Sequence, residues 1–177
     1  MLAETDGLTL LNNRRAFDRE FERNQQERRY SHLAIIDIDF FKRINDRYGH
    51  EIGDTVLRVV GSKLNETPYF AARIGGEEFT LLMQMQGSDG RKKYPANVVT
   101  EICQTLIQAV NDQVPEIRET VTFSVGIASI SRRASLRSVM ATADRRLYDA
   151  KRNGRNQIVW VDMSETKTEK PAGTASA

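Results

Sequence analysis

Tyr69-Phe-Ala-Ala-Arg-Ile-Gly-Gly-Glu-Glu-Phe-Thr-Leu-Leu-Met-Gln-Met85 decides the fold class. Tyr69–Ile74 and Phe79–Met85 are strand-like runs, and Gly75-Gly76 between them signals a hairpin closed by a type I′ turn. Upstream, Leu33-Ala-Ile-Ile-Asp-Ile-Asp39 is a β-branched run, a strand buried on at least one face. Downstream, Val121–Ile130 reads as a strand and Gln157–Val161 as a closing one. Helical periodicity fills the gaps. Asn13–Tyr30 carries Phe17 and Phe21 at i, i+4, and Phe40–Tyr48 carries Phe41, Ile44 and Tyr48 on one side. Ile52–Leu64, Pro95–Val110 and Leu136–Asn153 repeat the pattern. Hairpins mixed with helical crossovers imply an α+β sandwich, with helices packed on a mostly antiparallel sheet.

At 177 residues the chain suits one domain, which at this size buries roughly 70% of its unfolded surface. We expect that domain over residues 1–163, a long surface loop at Gln86–Lys93, and a disordered tail over Ser164–Ala177, which holds no large apolar residue. The balance of 26 basic against 24 acidic residues leaves +2, which argues against a polybasic nucleic-acid arm. With 7% aromatic residues there is little material for a stacking nucleic-acid face either. A single cysteine, Cys103, makes no internal disulfide and is too little for a Cys-rich zinc site. No run approaches the ~20 apolar residues of a membrane span, and the Met1 end has no signal-type stretch. The expectation is a reducing, cytoplasmic setting.

Three clusters carry the chemistry. Asp37 and Asp39 end the first long strand, on the face shared with Leu33 and Ile35. A carboxylate on a core-directed face needs a partner or a cation. Asp39, directly before a helix, reads as its cap; Asp37, two residues inside the strand, reads as a metal ligand. Glu77 and Glu78 follow the glycine pair, and a hairpin beside the Leu33–Asp39 strand would bring Glu77 to Asp37. Two hard carboxylates at a strand end suit Mg²⁺ when substrate phosphates supply the remaining oxygens. Lys151, Gly154 and Arg155 form the third cluster, after an amphipathic helix. Alone, it reads as a helix terminus with its C′ glycine and dipole-complementing cations.

The short helix after Asp39 supports a nucleotide reading. Lys42, Asn45, Asp46 and Gly49 share one polar face. The helix N-terminus beside Asp37 offers free N–H groups to phosphate. Asn45 and Asp54 offer an amide and a carboxylate to a purine edge. A carboxylate accepts from guanine N1–H and its exocyclic amine, whereas adenine has no N1 donor, so this pair favours GTP over ATP.

Several ordered motifs complete the picture: Asp6-Gly-Leu-Thr-Leu-Leu-Asn-Asn-Arg-Arg15, Asp37-Ile-Asp-Phe-Phe-Lys-Arg-Ile-Asn-Asp46, Tyr48-Gly-His-Glu-Ile-Gly-Asp54, Arg73-Ile-Gly-Gly-Glu-Glu-Phe79, Ser124-Val-Gly-Ile-Ala128, and Ala143 through Asn156. From about Asp6 to Trp160 the chain resembles the GGDEF-domain diguanylate cyclases, in the Gly-Gly-Glu-Glu-Phe form. The resemblance implies a cyclase-like fold related to polymerase palms, with the active-site tip on a β-hairpin. It also implies condensation of two GTP into cyclic di-GMP with release of pyrophosphate, in a homodimer and in bacterial signalling. By the same resemblance Asp37, the carbonyl of Ile38 and Glu77 would hold Mg²⁺, or Mn²⁺ in its place. Asn45 and Asp54 would read guanine, with His50 near the nucleotide. Lys42, Lys151, Arg155 and the N–H groups of Phe40 and Phe41 would hold phosphates. Glu77 or Glu78 would deprotonate the ribose 3′-OH.

The competing class is a sensor of GTP or cyclic di-GMP with the same fold and no turnover. Two departures from the family pattern stand out. Leu10 occupies a turn position usually held by glycine. Glu66-Thr67-Pro68-Tyr69 stands where many members carry an inhibitory Arg-x-x-Asp, so product inhibition through that site is expected to be weak. Because the chain starts close to the first motif, we expect an output domain whose sensory or dimerising partner lies elsewhere.

Overall fold

The computed structural model describes residues 4–85 and 94–161; the expected loop at Gln86–Lys93 and tail at Ser164–Ala177 lie outside the described residues. Along the chain run β1 (Asn12–Asn13), α1 (Arg14–Glu27), β2 (His32–Ile38), α2 (Phe41–Tyr48) and α3 (His50–Asn65). Then come β3 (Phe70–Arg73), β4 (Glu78–Met83), α4 (Pro95–Gln113), β5 (Phe123–Ser129), α5 (Leu136–Arg152) and β6 (Ile158–Val159). The described strands form one sheet in the order β1-β3-β4-β2-β5-β6. Its three central pairings are antiparallel, while β1–β3 and β5–β6 at the edges are parallel. This is the expected α+β architecture, with helices on both faces.

Central β2 is buried on both sides because its residues alternate between two cores. Ala34, Ile36 and Ile38 face a cluster built with α2, α3 and α4. Leu33 and Ile35 face the other, where α1 brings Phe17 and Phe21 and α5 brings Val139, Ala143 and Leu147. Each fully buried phenylalanine contributes about 2–3 kcal/mol by leaving water. Asp37 continues the Leu33–Ile35 face and is therefore carried into a buried position, 4% exposed.

Two close approaches set the helices on this sheet. A Cβ at Gly126 of β5 would lie 2.0 Å from the Ala143 carbonyl oxygen of α5, so only glycine lets helix backbone and strand touch there. A Cβ at Gly53 of α3 would lie 1.9 Å from Asn45 Oδ1, so glycine there lets α2 lay its asparagine against α3.

Two local expectations are corrected, and one short strand is added. Neither Gly75 nor Gly76 has positive φ, so the connection is not a type I′ turn. Four residues, Ile74–Glu77, separate the strands, and Ile74 N–H donates to the Glu78 carbonyl at 3.0 Å. A loop longer than two residues has no need of the primed turn. Asp39 does not cap α2, whose N-cap position is Phe40 without a side-chain bond. Its carboxylate turns instead toward the neighbouring strand, accepting from Thr122 Oγ1 (2.7 Å), Ser124 Oγ (2.6 Å) and Asn156 N–H (3.0 Å). The two-residue β1, finally, has no hydrophobic period by which to be foreseen; Asn12 is tied to β3 through Nδ2, which donates to the Ala71 carbonyl at 2.9 Å.

The end of α5 agrees with its expected glycine stop. Asn153 is the C-cap, Gly154 follows at φ 109°, and Arg155 N–H donates back to the Ala150 carbonyl at 3.0 Å. That is the Schellman pattern. No helix among the described residues is long and apolar enough to cross a membrane.

Candidate active site

β2 and β4 pair so that Asp37 stands opposite Glu78, and Ile38 N–H donates to the Glu77 carbonyl at 3.3 Å. The sheet register thus brings both tip glutamates to the buried aspartate. From the other side α5 delivers Lys151, whose Nζ lies 2.7 Å from Asp37 Oδ2. Burial pushes the Asp37 carboxyl up to about 6, against the pull of Lys151, and the charges of Glu77 and Glu78 push the same way. A carboxylate held in this way favours any cation that reaches it.

The tip itself is braced. Arg73 donates to the Gly76 carbonyl through Nη2 (2.7 Å) and Nε (3.2 Å), and through Nη1 to Asp6 Oδ1 (3.0 Å). Asp6 also accepts from the Thr9 amide and hydroxyl, which closes the N-terminal turn. Arg73 and Asp6 thus link that turn to the tip. Asp6 and Arg73 both lay inside the quoted motifs, but their pairing spans the fold and no spacing announces it.

Beside the acidic cluster, Phe40 holds φ 56° and leaves its ring half exposed before α2. The Arg155 guanidinium sits 4.4 Å from that ring's centroid. In the first turn of α2 the N–H groups of Arg43 and Ile44 donate to the Phe40 carbonyl (2.8 and 3.3 Å), while those of Phe41 and Lys42 have no preceding turn to accept them. Asn45 rests against Gly53, and Asp54 is the next residue of α3, half buried, so the two expected purine readers adjoin. Lys42 is exposed and pairs with Asp46 at 2.7 Å, one turn along the same helix, rather than with the acidic cluster. His50 is exposed at the start of α3.

Among the described residues no three carboxylate, imidazole or thiol groups gather as a self-sufficient metal site. What the strand end offers is two carboxylates, Asp37 and Glu77, and the backbone at Ile38. A cavity of about 660 Å³ lies elsewhere, between the α3–β3 turn and α4, lined by Lys63, Thr67, Tyr69, Tyr94, Asn97 and Glu101 among others. It contains none of the expected site residues, of which Asp37, Glu77, Glu78 and Lys151 meet at the strand end.

Comparison with known proteins identifies the family. The family described as "Diguanylate cyclase, GGDEF domain" matches residues 3–157. Diguanylate cyclase DgcP of Pseudomonas aeruginosa is 34% identical over 163 residues, covering 88% of this chain and 24% of that protein. Diguanylate cyclase DgcZ of Escherichia coli is 35% identical over 166 residues, covering 89% of this chain and 53% of that one. The chain therefore spans about a quarter to a half of the curated relatives it matches. The crystal structure of the GGDEF domain of DgcB from Caulobacter crescentus in complex with c-di-GMP is 36% identical, with a TM-score of 0.71. That similarity covers 90% of this chain and 96% of that one. With the tip and the other quoted motifs inside residues 3–157, the chain belongs to the GGDEF-domain diguanylate cyclase family.

Proposed function

We propose that this chain is a diguanylate cyclase domain, condensing two GTP into cyclic di-GMP and releasing two pyrophosphates. The observation that carries the reading is the convergence of Asp37, Glu77, Glu78 and Lys151 at one strand end, beside the N-terminus of α2. The donor set fits a hard divalent cation, Mg²⁺ or Mn²⁺. Asp37 and Glu77 supply carboxylates, Ile38 a carbonyl, and substrate phosphates the remaining oxygens. Such an ion supplies charge neutralisation at the α-phosphate and at the attacking oxygen.

The chain's own residues do the rest. Asp54 accepts from guanine N1–H and its amine, and Asn45, held against α3 by Gly53, contacts the same base edge. Lys151, Arg155, Lys42 and the amides of Phe40 and Phe41 hold the triphosphate, with His50 near the nucleotide. Glu77 or Glu78 takes the 3′-OH proton as the oxygen attacks the α-phosphorus of the second nucleotide; the P–O bond to pyrophosphate breaks. One chain offers one such pocket, yet the product has two equivalent phosphodiesters. Two copies facing each other about a two-fold axis meet that requirement.

Incubation with GTP and Mg²⁺ tests the proposal, with cyclic di-GMP as the readout. Asp37→Ala and Glu77→Ala are expected to abolish product while the circular dichroism spectrum is kept. Near-normal turnover by Glu77→Ala would refute the two-carboxylate arrangement. GTP binding without product from the unmodified chain would favour a sensor instead.

A further inference from the structure

Directly after α5, three successive residues hold positive φ: Gly154 (109°), Arg155 (65°) and Asn156 (48°). Glycine adopts that region freely and asparagine tolerates it, but Arg155 carries a longer side chain and is strained there. Such a conformation persists only where the surroundings hold it. Part of the hold is local. Arg155 N–H closes the helix end on Ala150, and Gln157 Nε2 donates to the carbonyls of Ala150 (3.0 Å) and Asn153 (2.8 Å). A further bond comes from across the fold: Asn156 N–H donates to Asp39 Oδ2 at 3.0 Å, between residues 117 positions apart.

Asp39 is well suited to that task. It is 4% exposed, and its two oxygens accept from Thr122, Ser124 and Asn156, so the carboxylate is itself fixed to β5 and its lead-in. An ionised carboxylate is acceptor-only and satisfies three donors at once. An asparagine would turn an amine toward one of them. The next residue, Phe40, is also left-handed, and its ring carries the Arg155 guanidinium at 4.4 Å. Two strained positions thus face each other, with Asp39 bonded to one segment and adjoining the other.

We propose that Asp39 is a positioning residue: its carboxylate sets the left-handed Gly154–Asn156 segment and so holds Arg155 beside Phe40 for the outer phosphates of a nucleoside triphosphate. This rests on the GTP reading above. Asp39 itself touches neither base nor phosphate, and its effect is on triphosphate capture rather than on recognition of guanine.

The experiment measures GTP and GMP affinity by calorimetry, and amide exchange at Asn156, in the full chain. The unmodified protein is compared with Asp39→Asn, Arg155→Ala and the double variant. Asp39→Asn is expected to weaken GTP roughly tenfold, leave GMP unchanged and speed Asn156 exchange. Arg155→Ala should show the same GTP-against-GMP split, and the double variant should lose no more than the greater single loss. Equal weakening of GTP and GMP, additive losses, or unchanged exchange would each overturn the proposal. If the unmodified chain binds no GTP, the functional reading fails and the phosphate role of Asp39 with it. Asn156 exchange then decides separately whether Asp39 holds the segment. Should Asp39→Asn not fold, Thr122→Val removes one donor to the same oxygen. A smaller loss confined to GTP supports the proposal, and an equal loss for both nucleotides overturns it.

Discussion

Lys151 Nζ and Asp37 Oδ2 lie 2.7 Å apart, so the last turn of α5 places a cation on the buried carboxylate that faces the tip glutamates. The pair does not fully offset the cost of burial. The Asp37 carboxyl is pushed up to about 6 by desolvation, opposed by Lys151 and reinforced by the charges of Glu77 and Glu78.

A pH-dependent stability difference follows. A carboxyl whose folded value exceeds its unfolded value of 3.8 destabilises the fold above about pH 6, and the penalty fades as pH falls toward 4. Asp37→Asn is neutral throughout. Without metal or nucleotide it should exceed the unmodified chain by about 2–3 kcal/mol at pH 7.5 and by little near pH 4. Urea unfolding across that range checks it; a difference independent of pH would count against the assignment.

Leu10 is 76% exposed and holds φ 61°, a conformation that costs a residue with a side chain about 1–2 kcal/mol. Its N–H bond to the Asp6 carbonyl (2.9 Å) survives replacement by glycine. After allowing for glycine's greater freedom when unfolded, Leu10→Gly should stabilise by about 0.5–1 kcal/mol. A lower urea midpoint would contradict this account of the turn.

Thr80 lies in β4 with no exposed surface, and its hydroxyl has no hydrogen-bond partner among the described residues. Replacing it by valine keeps the shape and removes the unsatisfied group. Thr80→Val is expected to gain about 1 kcal/mol, and a loss in thermal or urea unfolding would show that the hydroxyl is satisfied in solution.

Gly53→Ala puts a methyl where Asn45 Oδ1 now rests. The expected result is a displaced Asn45 and a GTP-over-ATP preference reduced roughly tenfold, as for Asp54→Ala. Competition binding with the two nucleotides measures it. Equal affinities in the unmodified chain would sink the guanine assignment.

At the position of the family's inhibitory arginine, Glu66 is paired with Lys63 through both oxygens at 2.9 Å. Tyr69 is partly buried beside Glu101, and burial with that charge raises its phenol. Neither residue offers a cation to a dianionic dinucleotide. Calorimetry with cyclic di-GMP is expected to show no sub-micromolar site that is lost in Glu66→Ala or Tyr69→Ala.

Periodicity made the secondary structure legible. Ala34, Ile36 and Ile38 alternate with Leu33 and Ile35, and Phe17 and Phe21 share a helix face, because side-chain direction repeats locally with the backbone. The same alternation carries Asp37 onto a buried face, and the hairpin beside it puts the tip glutamates at that strand end. Asp39 shows where that reasoning stops. Proximity to a helix suggested a cap, yet its donors are 83 to 117 residues away, on β5, its lead-in and the segment after α5, and no local pattern reveals that they meet. The Lys151–Asp37 pair, the left-handed Phe40, Arg155 and Asn156, and Asn45 against Gly53 were likewise decided only by packing. Apolar spacing specifies which face of an element is buried. Which polar groups then meet depends on how the faces dock, and here a helix lying directly on Gly126 of β5 settled that docking.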